Sequence, residues 1–157
     1  MQILLSCLFP LLGYLSGSLP FSIWVTRLVK GVDVRAAGSG HATTTNTIRQ
    51  AGFTWGVLVA VLDVAKGLIP TYLALQLAGQ NVILPYAVPL TAALAVTGHC
   101  WPLFAQFRGG MGLAALGGAL FAVNWFSFVM GLGLLLTLVL LLRHSARAAV
   151  FAGVLMA

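Results

Sequence analysis

Two segments of this sequence bring glycines, hydroxyls and guanidinium groups together in a way that suits an anion. The first reads Gly38-Ser39-Gly40-His41-Ala42-Thr43-Thr44-Thr45-Asn46-Thr47-Ile48-Arg49, the second Phe107-Arg108-Gly109-Gly110-Met111-Gly112. Glycines let backbone N–H groups come close to a phosphate, hydroxyls add donors, and arginine can hold phosphate oxygens in a two-pronged fork. Neither segment is a Walker loop, because no Gly-Lys-Ser/Thr follows the first glycine at the required distance. The second segment opens an apolar stretch, where a helix would present unpaired N–H groups and the positive end of its dipole. Either loop alone could be a polar turn between helices. Two of them on one membrane face read as two walls of an anion site.

Other groups with chemical potential are few. Asp63 and Lys66 lie inside an apolar segment three residues apart, on one face of a helix; charges in lipid are costly, so both should face the bundle interior and pair, either for structure alone or to hold substrate directly. His99 ends another apolar segment beside the second glycine loop, where such a histidine commonly serves as a structural donor and here also stands near the anion site. His41 sits within the first loop, which favours ligand contact, and His144 is expected at the interface. Cys7 and Cys100 show no metal or CxxC spacing and are expected to be buried thiols. With no Ser-His-Asp set, paired carboxylates or metal cluster, an enzyme built from this chain would work by positioning and electrostatics.

The elements that carry these groups are dictated by composition. Of 157 residues 61% are hydrophobic and 6% charged, against about 25% charged in soluble domains, so the solvent is lipid. The net charge of +6 comes from eight Lys/Arg against Asp33 and Asp63. These bases fall in short gaps between apolar segments, which argues against nucleic acid and for anionic headgroups and phosphorylated small molecules. A crossing helix needs about 20 apolar residues. Candidates run from Ile3 to about Val29 (with Gly13 and Gly17 spaced for close helix contact and Pro20 for a kink), from about Phe53 to Ala78, and from about Val82 to Phe104. Residues 113–142 are nearly all apolar and divide into two spans at Asn124. The ten residues from Ala148 to Ala157 are too short to cross, giving a partial sixth span or a chain shortened relative to a longer parent.

The expected architecture is therefore all-α: a polytopic transmembrane helix bundle of five spans plus a partial sixth, in a single transmembrane domain over residues 1–157. Lys30, Arg35, Arg49, Arg108, Arg143 and Arg147 occupy the gaps at about 30–52, 105–112 and 143–147, while the other two gaps hold no Lys or Arg. The positive-inside rule then makes those three loops cytoplasmic and puts the N-terminus outside.

Taken in order, the blocks Gly31-Val32-Asp33-Val34-Arg35, Gly38-Ser39-Gly40 with Asn46, Arg49 and Gly52, Asp63-Val64-Ala65-Lys66-Gly67, and Gly98-His99 with Pro102, Phe104, Phe107 and Gly109-Gly110-x-Gly112 carry a family resemblance. From Gly17-Ser18-Leu19-Pro20 to about Arg143 the chain resembles the bacterial acyl-phosphate:glycerol-3-phosphate acyltransferase family. The resemblance implies a seven-helix enzyme of the bacterial cell membrane with its active face cytoplasmic. It would move an acyl group from acyl phosphate, an already activated mixed anhydride, to the 1-hydroxyl of glycerol 3-phosphate. The products are lysophosphatidate and phosphate, the first step of phospholipid synthesis, with no cofactor, coenzyme A thioester or metal. Phosphate binding then falls to Ser39, Gly40, His41, Asn46 and Arg49 from the first loop and Arg108, Gly109, Gly110 and Gly112 from the second. His99, Arg49 and Arg108 form the catalytic set, Asp63 and Lys66 are intramembrane structural groups, and the acyl chain lies in a groove between helices.

The chain also departs from the family pattern. His41 stands where the family has Asn, Thr43 where it has a glycine, and Arg108-Gly109-Gly110-Met111-Gly112 where it has Lys-Gly-Gly-Lys-Gly. Loss of one charge-assisted bond to phosphate costs about 1.5–3 kcal/mol. The reading is of a diverged, C-terminally short member. Two alternatives accompany it: a catalytically impaired relative that binds acyl phosphate or lipid headgroups, and a small transporter using Asp63 and Lys66.

Overall fold

Hydrocarbon offers the backbone no hydrogen bonds, so a chain of this composition must satisfy its N–H and C=O groups internally. A computed structural model describes residues 1–142, and among these residues the chain is helical with no strand. The expectations for the 143–147 gap, His144 and the partial sixth span lie outside the described residues. The helices are α1 (Gln2–Gly17), α2 (Phe21–Lys30), α3 (Thr44–Ala51), α4 (Phe53–Gly79), α5 (Ala87–Cys100), α6 (Leu113–Val123) and α7 (Trp125–Leu142), with single 3-10 turns at Val34–Ala36 and Leu103–Ala105.

Among the described residues three segments are long and apolar enough to cross a membrane: Gln2–Lys30 taken across its break, Phe53–Gly79, and Ala87–Ala105. Leu113–Val123 and Trp125–Leu141 are shorter apolar helices. At 1.5 Å per residue α6 is only roughly 16 Å long. Burial is inverted relative to a water-soluble fold. Leu58, Val61, Ile69 and Leu73 of α4 are exposed, whereas Ser6, Thr26, Thr71, Thr91, Asp63 and Lys66 are buried. Thr71 and Thr91 donate to carbonyls four residues back, Gly67 at 2.7 Å and Ala87 at 2.6 Å, which satisfies their hydroxyls.

Backbones touch where side chains are smallest. A Cβ on Gly13 would sit 2.5 Å from the Thr91 carbonyl, and one on Gly17 would overlap the Ala95 carbonyl, so α1 and α5 meet through the predicted glycine pair. Gly67 and Gly118 do the same for α4 and α6, against the carbonyls of Ala115 and Val64.

Several boundaries differ from the sequence reading. The first apolar segment is two helices, because Pro20 has no N–H to continue α1 and instead precedes α2, which ends at Gly31 in the left-handed region (φ 72°). The long polar loop contains α3, started by Thr43, whose hydroxyl accepts from the Asn46 N–H, and ended at Gly52 (φ 100°), a backbone turn suited to glycine. The third segment is helical only from Ala87 to Cys100. Cys7 is exposed on the apolar surface of α1 and Cys100 only partly buried, so the expectation of two buried thiols is corrected. The division at Asn124 is seen: the residue is extended, and its Oδ1 accepts from the N–H groups of Phe126 (2.9 Å) and Ser127 (3.4 Å) to start α7.

Gly17→Val should lower stability by about 1–3 kcal/mol, read as the thermal midpoint in detergent, because the α1–α5 contact must open. Gly133→Ala, with nothing within 4 Å of its added Cβ, should leave the midpoint unchanged.

Candidate functional site

The first loop is held from within. Asp33 starts the 3-10 turn by accepting from the Arg35 N–H at 3.0 Å. Arg35 returns a fork, with Nε to Oδ1 at 3.0 Å and Nη2 to Oδ2 at 2.8 Å, and Arg27 adds an ion pair at 2.8 Å. The Arg35 hydrogen bond holds the Asp33 carboxyl well below the usual carboxylate range, and Asp33 raises Arg35 in return. The remaining arm of Arg35, Nη1, reaches the second loop, donating to the carbonyls of Ala105 (2.8 Å) and Arg108 (3.2 Å).

Asn46 is fully buried behind the loop. Its amide nitrogen donates to the carbonyls of Val34 (2.7 Å), Ala37 (3.0 Å) and His41 (3.1 Å), and its oxygen accepts from the Ser39 N–H at 3.4 Å. Ser39, Gly40 and His41 form the exposed outer rim of this turn.

The two loops meet. The Ala42 N–H donates to the Gly109 carbonyl at 3.2 Å, while Gly109 and Gly110 donate to the carbonyls of Cys100 (3.2 Å) and His99 (3.1 Å). A side chain at Gly110 would collide with Nε2 of His99 and come 2.5 Å from the Ala42 carbonyl. Glycine is therefore required for the loops to close over the imidazole. Gly112 (φ 81°) then turns the chain into α6.

A cavity of about 140 Å³ opens at this junction. One wall is the start of α3 (Thr43, Thr44, Thr45), the other the start of α6 (Gly112, Leu113, Ala114) with Met111, and the floor is Asp63 and His99. Helix α6 makes its first bond from Leu116 N–H to the Gly112 carbonyl (2.8 Å), so the amides before it lack intrahelical partners. Two helix N-termini facing one cavity combine free donors with the positive ends of two dipoles.

Beneath lies the charged cluster. Lys66 Nζ is 2.9 Å from Asp63 Oδ1, donates to the Leu19 carbonyl at 2.9 Å and stands 5.7 Å above the Phe21 ring. His99 Nδ1 is 3.6 Å from the same Asp63 oxygen. A second chamber, about one water molecule in size at roughly 10 Å³, lies among Asp63, Lys66, His99, Gly109 and Gly110.

Of the residues singled out from sequence, Asp63 and His99 line both cavities, Gly112 the larger, and Lys66, Gly109 and Gly110 the smaller. Arg49 is exposed one turn beyond Thr45 on the same face of α3, and Arg108 is exposed just before Gly109. Among the described residues neither guanidinium has a hydrogen-bond or ion-pair partner. Asp63 and Lys66 pair as expected. Ser39, Gly40, His41 and Asn46 line neither cavity. Sequence reasoning missed the Arg35 clasp, and it left the threonine hydroxyls of α3 unassigned although their N-capping pattern was readable.

The sequence matches the glycerol-3-phosphate acyltransferase family across residues 7–157. The chain belongs to that family. A glycerol-3-phosphate acyltransferase of Thermotoga petrophila is 42% identical over 118 residues, covering 75% of this chain and 58% of the relative. One from Photorhabdus laumondii is 36% identical over 143 residues, covering 91% and 64%. The chain thus spans about three-fifths of the length of such relatives. The crystal structure of PlsY (YgiH), an integral membrane glycerol 3-phosphate acyltransferase, in its glycerol 3-phosphate form superposes with a TM-score of 0.84 at 32% identity, covering 96% of this chain and 74% of that one. Its lysophosphatidic acid form gives 0.82 at the same identity. The glycerol-3-phosphate acyltransferase fold places this chain among multi-pass membrane proteins.

Arg35→Lys should unfasten the second loop, since an ammonium cannot bond Asp33 and two carbonyls in one fork; amide exchange at Gly109 and Gly110 should speed up while α4 stays protected. The folded Asp33 carboxyl sits below its ordinary 3.8, so its contribution is complete above that pH and fades as pH falls toward the folded value. Exchange at the two glycines, corrected for intrinsic rates, should therefore be flat from about pH 5 to about pH 9 and rise only below about pH 4.

Proposed function

We propose that this chain transfers the acyl group of acyl phosphate to the 1-hydroxyl of glycerol 3-phosphate, releasing lysophosphatidate and phosphate, without a metal or cofactor. The observation that carries this reading is the convergence of the α3 and α6 N-termini on one cavity, with exposed Arg49 one turn beyond Thr45 and exposed Arg108 in the loop before Gly112, both without a partner among the described residues. Each substrate carries a phosphate, and this is the chemistry that such donors recognise.

An acyl chain has a place beside it. A groove of about 400 Å³ runs between α1 and α4, lined by Phe9, Leu12, Leu15, Leu19, Ile69 and Leu73, and it ends at Phe104. Leu19 lines both this groove and the chamber above Asp63 and Lys66, so a chain lying in the groove brings its carbonyl end to the glycine loops. Arg49, Arg108 and the amides at Gly112–Ala114 bind phosphate and stabilise the charge that gathers on the leaving group. His99 serves the hydroxyl, and Ser39, Gly40 and His41 contact ligand at the outer rim. Asn46 acts by shaping the loop, which its inward hydrogen bonds support.

In the membrane, the reading puts the N-terminus outside, five spans plus a partial sixth, and the site on the cytoplasmic face of a bacterial inner membrane. The clustering of Lys30, Arg35, Arg49 and Arg108 in two loops that touch supports one common face.

Met111, half exposed in the cavity wall where the family pattern carries lysine, favours a second reading, a relative that binds phosphate ligands without turnover.

Purified chain given acyl phosphate and glycerol 3-phosphate should form lysophosphatidate; stabilisation by both ligands with no product would support the binding reading instead. Arg49→Ala and Arg108→Ala should each weaken ligand protection against thermal unfolding by about tenfold in apparent affinity. Met111→Lys should tighten it about threefold to tenfold, discounted for solvent exposure.

A further inference from the structure

Helix α2 turns apolar and basic side chains outward together. Ser22, Ile23 and Thr26 are buried against the bundle, where α2 packs on α3 and α4. On the opposite side Trp24 and Leu28, one turn apart, are 48% and 83% exposed. Arg27 and Lys30 are exposed beside them, and Val32, just past the Gly31 turn, is exposed as well. The helix dipole alone favours basic residues at a C-terminus, but it gives no reason for a tryptophan and a leucine to stand open next to them. A helix that meets a membrane surface has use for both.

Length puts this face at the membrane boundary. The 16 residues of α1 span roughly 24 Å of a hydrocarbon layer about 30 Å thick, so the first turn of α2 completes the crossing. Trp24 then stands at the boundary, where indoles concentrate, and Arg27 and Lys30 follow among the headgroups. The Trp24 ring meets Phe21 edge-on at 5.8 Å, and Phe21 lies under Lys66, so the boundary ring is tied to the buried pair.

Arg27 is also spare. Arg35 already takes both oxygens of Asp33, and Arg27 is the outer partner, with its side chain 58% exposed against 13% for Arg35. It can turn to another anion without releasing the Arg35 clasp. Among the described residues Lys30 has no hydrogen-bond or ion-pair partner. Asp33 is the only acid in this part of the sequence, against Arg27, Lys30 and Arg35.

We propose that this face of α2 holds an anionic phospholipid of the surrounding leaflet, with its phosphate between Arg27 and Lys30 and its upper acyl carbons on Trp24 and Leu28. Charge complementarity selects the headgroup. The open Leu28 selects a lipid over free phosphate, which would leave that side chain in water. Neither Trp24, Arg27, Leu28 nor Lys30 lines the cavities above Asp63 and His99, so the site is separate from them and independent of acyl transfer.

The test uses the full chain in phosphatidylcholine vesicles that contain a minor share of brominated lipid, because bromine quenches an indole only at close range. The difference between the wild type and Trp24→Phe isolates the Trp24 signal. Each base near an anionic surface is worth about fivefold in local lipid concentration. With Arg27 shared with Asp33, brominated phosphatidylglycerol should quench Trp24 at least about threefold more than brominated phosphatidylcholine at equal mole fraction and low salt. Salt at about 1 M, where the Debye length is about 3 Å, should remove the excess. Arg27→Gln/Lys30→Gln should also remove it while amide exchange at Gly109 and Gly110 stays at the wild-type rate, since Arg35 keeps Asp33. Lys30→Gln alone, which breaks no contact among the described residues, should lower the excess by at least about a third. Equal quenching by the two lipids in the wild type, an excess that survives either variant, or an excess that excess inorganic phosphate abolishes at constant ionic strength each overturns the proposal. So does the absence of quenching by either lipid, the result expected if another protein chain covers α2.

Discussion

Charge inside hydrocarbon is the constraint around which this molecule is arranged. By insertion scales an aspartate or lysine at the middle of a membrane helix costs about 2.5–3.5 kcal/mol, and α4 carries one of each, nearly fully buried. Their mutual contact satisfies part of the demand, and the Leu19 carbonyl meets the rest of Lys66. That carbonyl, which also accepts from the Phe21 N–H at 3.1 Å, keeps a lone pair for Lys66 because the chain breaks between α1 and α2. The Ile23 N–H, which would bond Leu19 in a continuous helix, bonds Pro20 instead. The helix break and the intramembrane lysine are two halves of one feature.

The same level of the bundle is where the other helices are drawn in. Gly67, next to Lys66, meets the Ala115 carbonyl and brings the start of α6 over the charge pair. Gly98, next to His99, meets the backbone of Tyr14 and Ser18 and brings the end of α5 to it from the other side. Close glycine contacts usually explain helix affinity in membranes; here they also set where the imidazole and the α6 amides stand. The loops then close over this floor through Ala42 to Gly109 and through Arg35 to Ala105 and Arg108. A water-excluding floor below and helix N-termini above make a site in which electrostatic stabilisation is stronger than it would be in water.

Much of this was readable from residue order. The three-residue spacing of Asp63 and Lys66 foretold their pairing, Asn124 foretold the break before α7, and Gly13 with Gly17 foretold a close helix contact, whose partner, α5, only the structure names. What was not readable depended on direction instead of type. Asn46 looks like a ligand group in sequence, but a buried amide has to be satisfied by whatever surrounds it, and here that is three carbonyls of its own loop. Helix α3 was hidden because its threonines suggest a turn as readily as a helix, and only packing on α4 decides the matter. Arg35 looks like one more cytoplasmic charge until a contact 70 residues away shows it joining the two loops.

The most direct test of the account is a structure of the chain with glycerol 3-phosphate bound. The phosphate should lie between the starts of α3 and α6, with oxygens within hydrogen-bond distance of the Leu113 and Ala114 amides and of a threonine hydroxyl on α3. A phosphate seated elsewhere, with the cavity above Asp63 and His99 left to solvent, would contradict it.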